Sequence, residues 1–173
     1  VLSAGTLLDA AGNVAILNIP DNQNIADFKE IAIDGSVAYV TSVTSTSDND
    51  IYKVGDIINV TVNFSESVTL EDGNLLVMLE TGTVDRVVTI APFANSATAT
   101  GTYTVQVGDT SLDLNSISPI ALSAGTLLDA AGNTTTLTIP ADQNIADSRD
   151  IVVDGVIPFV SSITSSTDNG IYK

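Results

Sequence analysis

The chain has 173 residues with 21 acidic against 5 basic side chains, a formal charge of −16, and neither cysteine nor histidine. That balance argues against a nucleic-acid or anionic-membrane surface, which needs clustered Lys and Arg to neutralise phosphate. Disulfides, thiolate metal sites and a histidine general base are excluded with the missing residues, and no apolar run approaches the roughly 18 residues of a membrane span.

In chain order, Leu2-Ser-Ala-Gly-Thr-Leu-Leu-Asp-Ala-Ala-Gly-Asn13 comes first and returns letter for letter at Leu122–Asn133, 120 residues on. Aligned at that offset, residues 1–53 and 121–173 are identical at 32 positions. Such self-similarity is the signature of a tandem array. The expected organisation is one complete unit of about 120 residues at 36–155. The end of a preceding unit (1–35) and the first strand of a following one (156–173) flank it. The chain thus reads as a window on a longer protein.

Val37–Thr44 alternates apolar and polar and is rich in β-branched residues, as a half-buried strand should be. Polar Ser45–Asp50 breaks it. Gly55–Phe64 is the next strand, with Ile58, Val60, Val62 and Phe64 on one face by period two. Ser65-Glu66-Ser67 reads as a turn before a short strand at Val68–Leu70, and Glu71-Asp-Gly-Asn74 as a hairpin tip. Strands follow at Leu75–Thr81, Asp85–Ala91 and Ala97–Val107. Leu112–Ile120 reads as irregular, a loop or short helical turn. Ala121–Leu128 leads into the turn Asp129-Ala-Ala-Gly-Asn133. Thr134–Ile139 is a strand stopped by Pro140, Gln143–Asp150 one loose helical turn, and Ile151–Val153 extended again. Val156–Thr164 starts the next unit. No segment keeps a 3.6-residue period for ten residues or more, so the fold class is all-β, and seven or more short strands between turns indicate a β-sandwich.

Tyr52-Lys-Val-Gly-Asp56, Val62-Asn-Phe-Ser-Glu-Ser-Val68, Tyr103-Thr-Val-Gln-Val-Gly-Asp109 and Leu128-Asp-Ala-Ala-Gly-Asn133 stand in an order that resembles the bacterial Ig-like tandem repeats of large secreted surface proteins and adhesins. The resemblance covers the whole chain. It departs from the usual Asp-Thr-Ala-Pro junction, which is replaced by Asp154-Gly-Val-Ile-Pro158 and Asp34-Gly-Ser-Val-Ala38. It implies an extracellular, cell-surface string of Ig-like β-sandwich domains, with neighbouring repeats as partners and calcium stiffening the joints.

Calcium takes six to eight oxygens from carboxylates and carbonyls. Given Ig-like topology, Asp34, Glu66, Asp129 and Asn133 gather at the pole where the chain enters the complete unit. Asp9, Asn13 and Asp154 are the matching ligands of neighbouring joints, and Asp27 and Asp147 are further oxygen donors. The competing reading of Asp-Ala-Ala-Gly-Asn is a tight turn in which Asp accepts backbone amides and Gly-Asn takes positive φ. Asp48-Asn-Asp50 and Asp168-Asn169 read as solvated loops. Ser65 and Ser123 have no histidine to activate them, and acids such as Asp109 and Asp113 pair by number alone, so no enzyme is expected. The function expected is a non-enzymatic spacer of an adhesin or surface fibre. The alternatives are a glycan- or protein-binding module, and a filament subunit joined to other copies by strand exchange.

Overall fold

The computed structural model describes residues 4–173, and the chain divides into two units, Val1–Asp34 and Gly35–Lys173. The first unit contains one helical turn, α1 (Ile25–Phe28), and a bridge between Leu8 and Val14. Asn24 caps that turn and Asp27 reaches back to the Asn24 amide at 2.8 Å, a capping box that closes a turn too short to persist on helix propensity.

The regular structure of the second unit is almost all β, as expected. Its strands are β1 (Val40–Thr44), β2 (Asp50–Lys53), β3 (Ile57–Leu70), β4 (Leu75–Leu79), β5 (Arg86–Ile90), β6 (Phe93–Thr104), β7 (Thr110–Ser111), β8 (Ser116–Leu122) and β9 (Leu127–Asp129). One helical turn, α2 (Ile145–Ser148), and β10 (Ile151–Asp154) complete it. The first sheet runs β1-β3-β6, with β9 also on β3; the second runs β2-β10-β7 and the third β5-β4-β8. All named pairs are antiparallel except β10 on β2.

Period-two alternation explains the core. Ile58, Val60, Val62, Phe64, Val68 and Leu70 of β3 are buried in one cluster with Leu75, Val77 and Leu79 of β4, Val88 and Ile90 of β5, Ile145 of α2, and Ile151 and Val153 of β10. Each such side chain contributes about 1.5–3 kcal/mol on burial. The copies differ sharply in this respect. Ile145 and Ile151 are 0% exposed, whereas Ile25 and Ile31, their counterparts 120 residues earlier, are 68% and 65% exposed.

Four stretches depart from the sequence reading. Ser65-Glu66-Ser67 is no turn: β3 runs on through it as one strand of 14 residues, with its register against β6 shifted between Asn63 and Val68. A bulge absorbs the extra residues without reversing the chain. The stretch expected to be irregular contains β8, whose hydrogen bonds to β4 override its Pro119 and serines. Thr134–Ile139 makes only single bridges, Leu128 to Thr134 and Tyr39 to Thr136, and residues 156–164 form no strand.

Candidate metal centre

Glu66 and Asp129 meet because of strand register. The second half of β3 pairs with β9 so that Val68 lies opposite Asp129, which puts the carboxylate at the end of β9 beside the bulge that carries Glu66. Asp34 stands immediately before Gly35, the first residue of the second unit. Oxygens of Asp34, Glu66 and Asp129 lie within 4.8 Å of one another, the one such acidic or ligand-type group among the described residues. Asp129 is buried, Glu66 half-buried and Asp34 exposed. Three like charges this close repel one another, and a cation among them reverses the sign of that interaction.

The entering backbone is fixed on the same side. The Ser65 amide donates to the Tyr39 carbonyl at 2.9 Å, and the Tyr39 amide donates to Ser65 Oγ at 3.0 Å. Asn133 Nδ2 donates to the Ser36 carbonyl at 2.9 Å.

The Asp129 turn also does what the competing reading requires. Asp129 Oδ1 accepts the Ala131 and Asn133 amides at 2.9 and 2.8 Å, Oδ2 accepts Asn133 Nδ2 at 2.9 Å, and Gly132 takes φ +89°. Burial alone would push the Asp129 carboxyl up, but these donors, Asn133 foremost, outweigh it and hold the carboxyl below its ordinary value. Asp9 and Asn13 reproduce the turn, with amide contacts at 2.9 and 2.8 Å and the side-chain contact at 2.8 Å. The Asp9 carboxyl is lowered chiefly by the Asn13 side chain. The local turn therefore forms whether or not other carboxylates stand beside it.

The other expected ligands have roles of their own in the backbone. Asn133 spends its amide hydrogens on Asp129 and Ser36, so it braces the turn to the entering strand. Asp27 and Asp147 close the capping boxes of α1 and α2, accepting the Asn24 and Asn144 amides at 2.8 and 2.7 Å. Asp154 ends β10 and accepts the Val156 amide at 3.1 Å. The acids Asp9, Asp27, Asp147 and Asp154 are not in the three-carboxylate group, while Asn133 touches it through Asp129.

A second charged constellation lies elsewhere in the unit. Asp109 is buried, and Arg86 reaches its Oδ1 through Nε at 2.9 Å and Nη2 at 2.8 Å. Its Oδ2 accepts the Tyr103 hydroxyl at 2.6 Å and the Gln106 amide at 3.0 Å. Burial pushes the Asp109 carboxyl up, yet the Arg86, Tyr103 and Gln106 bonds prevail and the carboxyl sits below its usual range. Burial, then Asp109, pushes the Tyr103 hydroxyl far up. Both oxygens of the Asp109 carboxylate are thus engaged in holding the fold.

No helix among the described residues is long and apolar enough to cross a membrane. Comparisons of the chain with protein-family models, with curated proteins and with solved structures returned no match.

Proposed function

We propose that residues 36–155 are one complete Ig-like β-sandwich repeat of an extracellular array, a non-catalytic spacer in a bacterial adhesin or surface fibre. On this reading a calcium ion sits where the chain enters the repeat. The observation that carries the proposal is the convergence of Asp34, Glu66 and Asp129 beside a hydrogen-bonded entering strand. Carboxylate oxygens in a partly exposed and adaptable arrangement suit calcium better than magnesium, which demands a tight octahedron.

A second feature supports an extended array. The entering strand is held at Ser65, whereas the Asp56 carbonyl, beside Ile57 at the other end of β3, accepts the Val105 amide just before the turn that grips Gly155. Ile57 to Ser65 is eight residues, about 27 Å at ~3.4 Å per residue. Entry and exit at opposite ends suit a rod, in which each unit adds its own length.

Calorimetric titration with calcium, with magnesium for comparison, tests the reading. Binding in the native chain and its loss in Glu66→Gln are expected. No binding at millimolar calcium would remove the cation from the proposal.

A further inference from the structure

The second unit grips its own backbone at both ends, and the repeat brings those two grips onto neighbouring residues. At the exit, the Gly155 amide donates to the Asp109 carbonyl at 2.7 Å and its carbonyl accepts the Gly108 amide at 2.9 Å. Gly155 is buried, and a Cβ there would lie 2.2 Å from the Gln106 carbonyl oxygen and 2.8 Å from that of Asp109. Only glycine lets the turn close so tightly on the chain. The turn cannot swing aside, because Arg86, Tyr103 and the Gln106 amide hold the Asp109 carboxylate.

At the entry, Asn133 holds the Ser36 carbonyl, the Thr136 amide donates to the Ala38 carbonyl at 2.8 Å, and Ser65 exchanges two bonds with Tyr39. The Val40 amide then donates to the Thr136 carbonyl at 3.0 Å. The 120-residue offset maps Ser36, Ala38, Tyr39 and Val40 onto Val156, Pro158, Phe159 and Val160. Three of these four side chains differ, but every entry contact just described uses the backbone of the entering strand. Even proline at 158 loses nothing there, since Ala38 contributes its carbonyl and proline keeps one.

We infer that successive units follow one another with no free linker residue: the backbone passes from one unit's grip at Gly155 directly to the next unit's grip at Val156. This rests on the tandem reading but on no cation, because both grips are hydrogen bonds. A partner for the exit of each unit is therefore the entry pole of the next, and calcium only tightens an already short joint.

Amide exchange and ¹⁵N relaxation on the whole chain, with a chelator present, test the two grips. The Gly155, Tyr39 and Val40 amides should exchange as slowly as strand amides, and backbone order should fall within two residues after Gly155. Gly155→Ala should abolish protection at residues 108 and 155 while the Leu114 amide stays protected. If that variant does not fold, Asp109→Asn should accelerate exchange at Gly155 more than at Leu114. In a chain lengthened past Lys173 by a second copy of residues 54–155, residues 154–160 should become uniformly ordered. Fast exchange at Gly155 in the native chain, or a run of mobile residues at the lengthened joint, would overturn the inference. Calcium titration of the same samples separates the two proposals: a rigid joint without calcium binding leaves this one standing and removes the cation.

Discussion

The Tyr103 hydroxyl donates to Asp109 Oδ2 at 2.6 Å, across six residues of chain that include the end of β6 and the turn after it. With Arg86 on the other oxygen, the carboxylate ties β5, β6 and that turn together. The lowered Asp109 carboxyl gives this tie a sign in pH. A folded-state value below the unfolded one of about 3.9 contributes stability that is complete above that value and is lost as pH falls through the folded value. Acid denaturation followed by circular dichroism should show a loss in the native chain below about pH 4. That loss should be smaller in Asp109→Asn, while Asp109→Ala should cost about 3 kcal/mol at neutral pH by stranding Arg86.

Glu66→Gln should have opposite effects with and without calcium. It removes one of three crowded carboxylates at constant size, so in chelator its melting temperature should equal or exceed that of the native chain. With calcium at about 100 times its dissociation constant the native chain should gain about 2.7 kcal/mol and the variant far less. Scanning calorimetry in both conditions checks the crossing.

Ile145→Ala and Ile25→Ala remove the same side chain from equivalent places in the two copies. The first leaves a cavity in the core and should cost about 2–5 kcal/mol. The second acts on an exposed residue and should change the unfolding of the second unit by less than about 0.5 kcal/mol. Urea denaturation of both variants reads the contrast.

Asn133→Ala should destabilise the second unit by about 1–2 kcal/mol, since it removes donors to both Asp129 and Ser36. Asn13→Ala should leave that unit's stability unchanged. Amide exchange at Tyr39 and Thr136 would locate the loss at the entering strand.

The β class and the Asp-Ala-Ala-Gly-Asn turns were legible because alternation and turn chemistry are local signals. Grouping Asp34, Glu66 and Asp129 instead took an assumed Ig-like topology with a turn at Ser65–Ser67, where β3 in fact runs on. Parity along β3 is a further clue to the site. From Ile58 to Leu70 every even position is apolar and buried except Glu66, an acid in phase with the inward face of β3. That parity also marks Ser65–Ser67 as part of the strand. β8 was hidden because its pairing to β4 is set by tertiary contacts that Ser116-Ile-Ser-Pro119 does not advertise. Asp109 looked like one acid among many. Its bond to Arg86, 23 residues away, exists only once β5 and the turn after β6 are brought together.

The grip on Gly155 bears on how a chain with two nearly identical segments sorts them as it folds. Residues 1–34 carry the same leucines and isoleucines as 121–154 at several core positions, so either segment offers β3 a matching apolar edge. Were the earlier segment to take the later one's place, Gly35 would have to sit between Gln106 and Asp109 while Asn13, in place of Asn133, held the Ser36 carbonyl. Those places are about 27 Å apart along β3, and consecutive Cα atoms span only about 3.8 Å. Chain connectivity thus rejects the wrong twin, and side-chain identity need not.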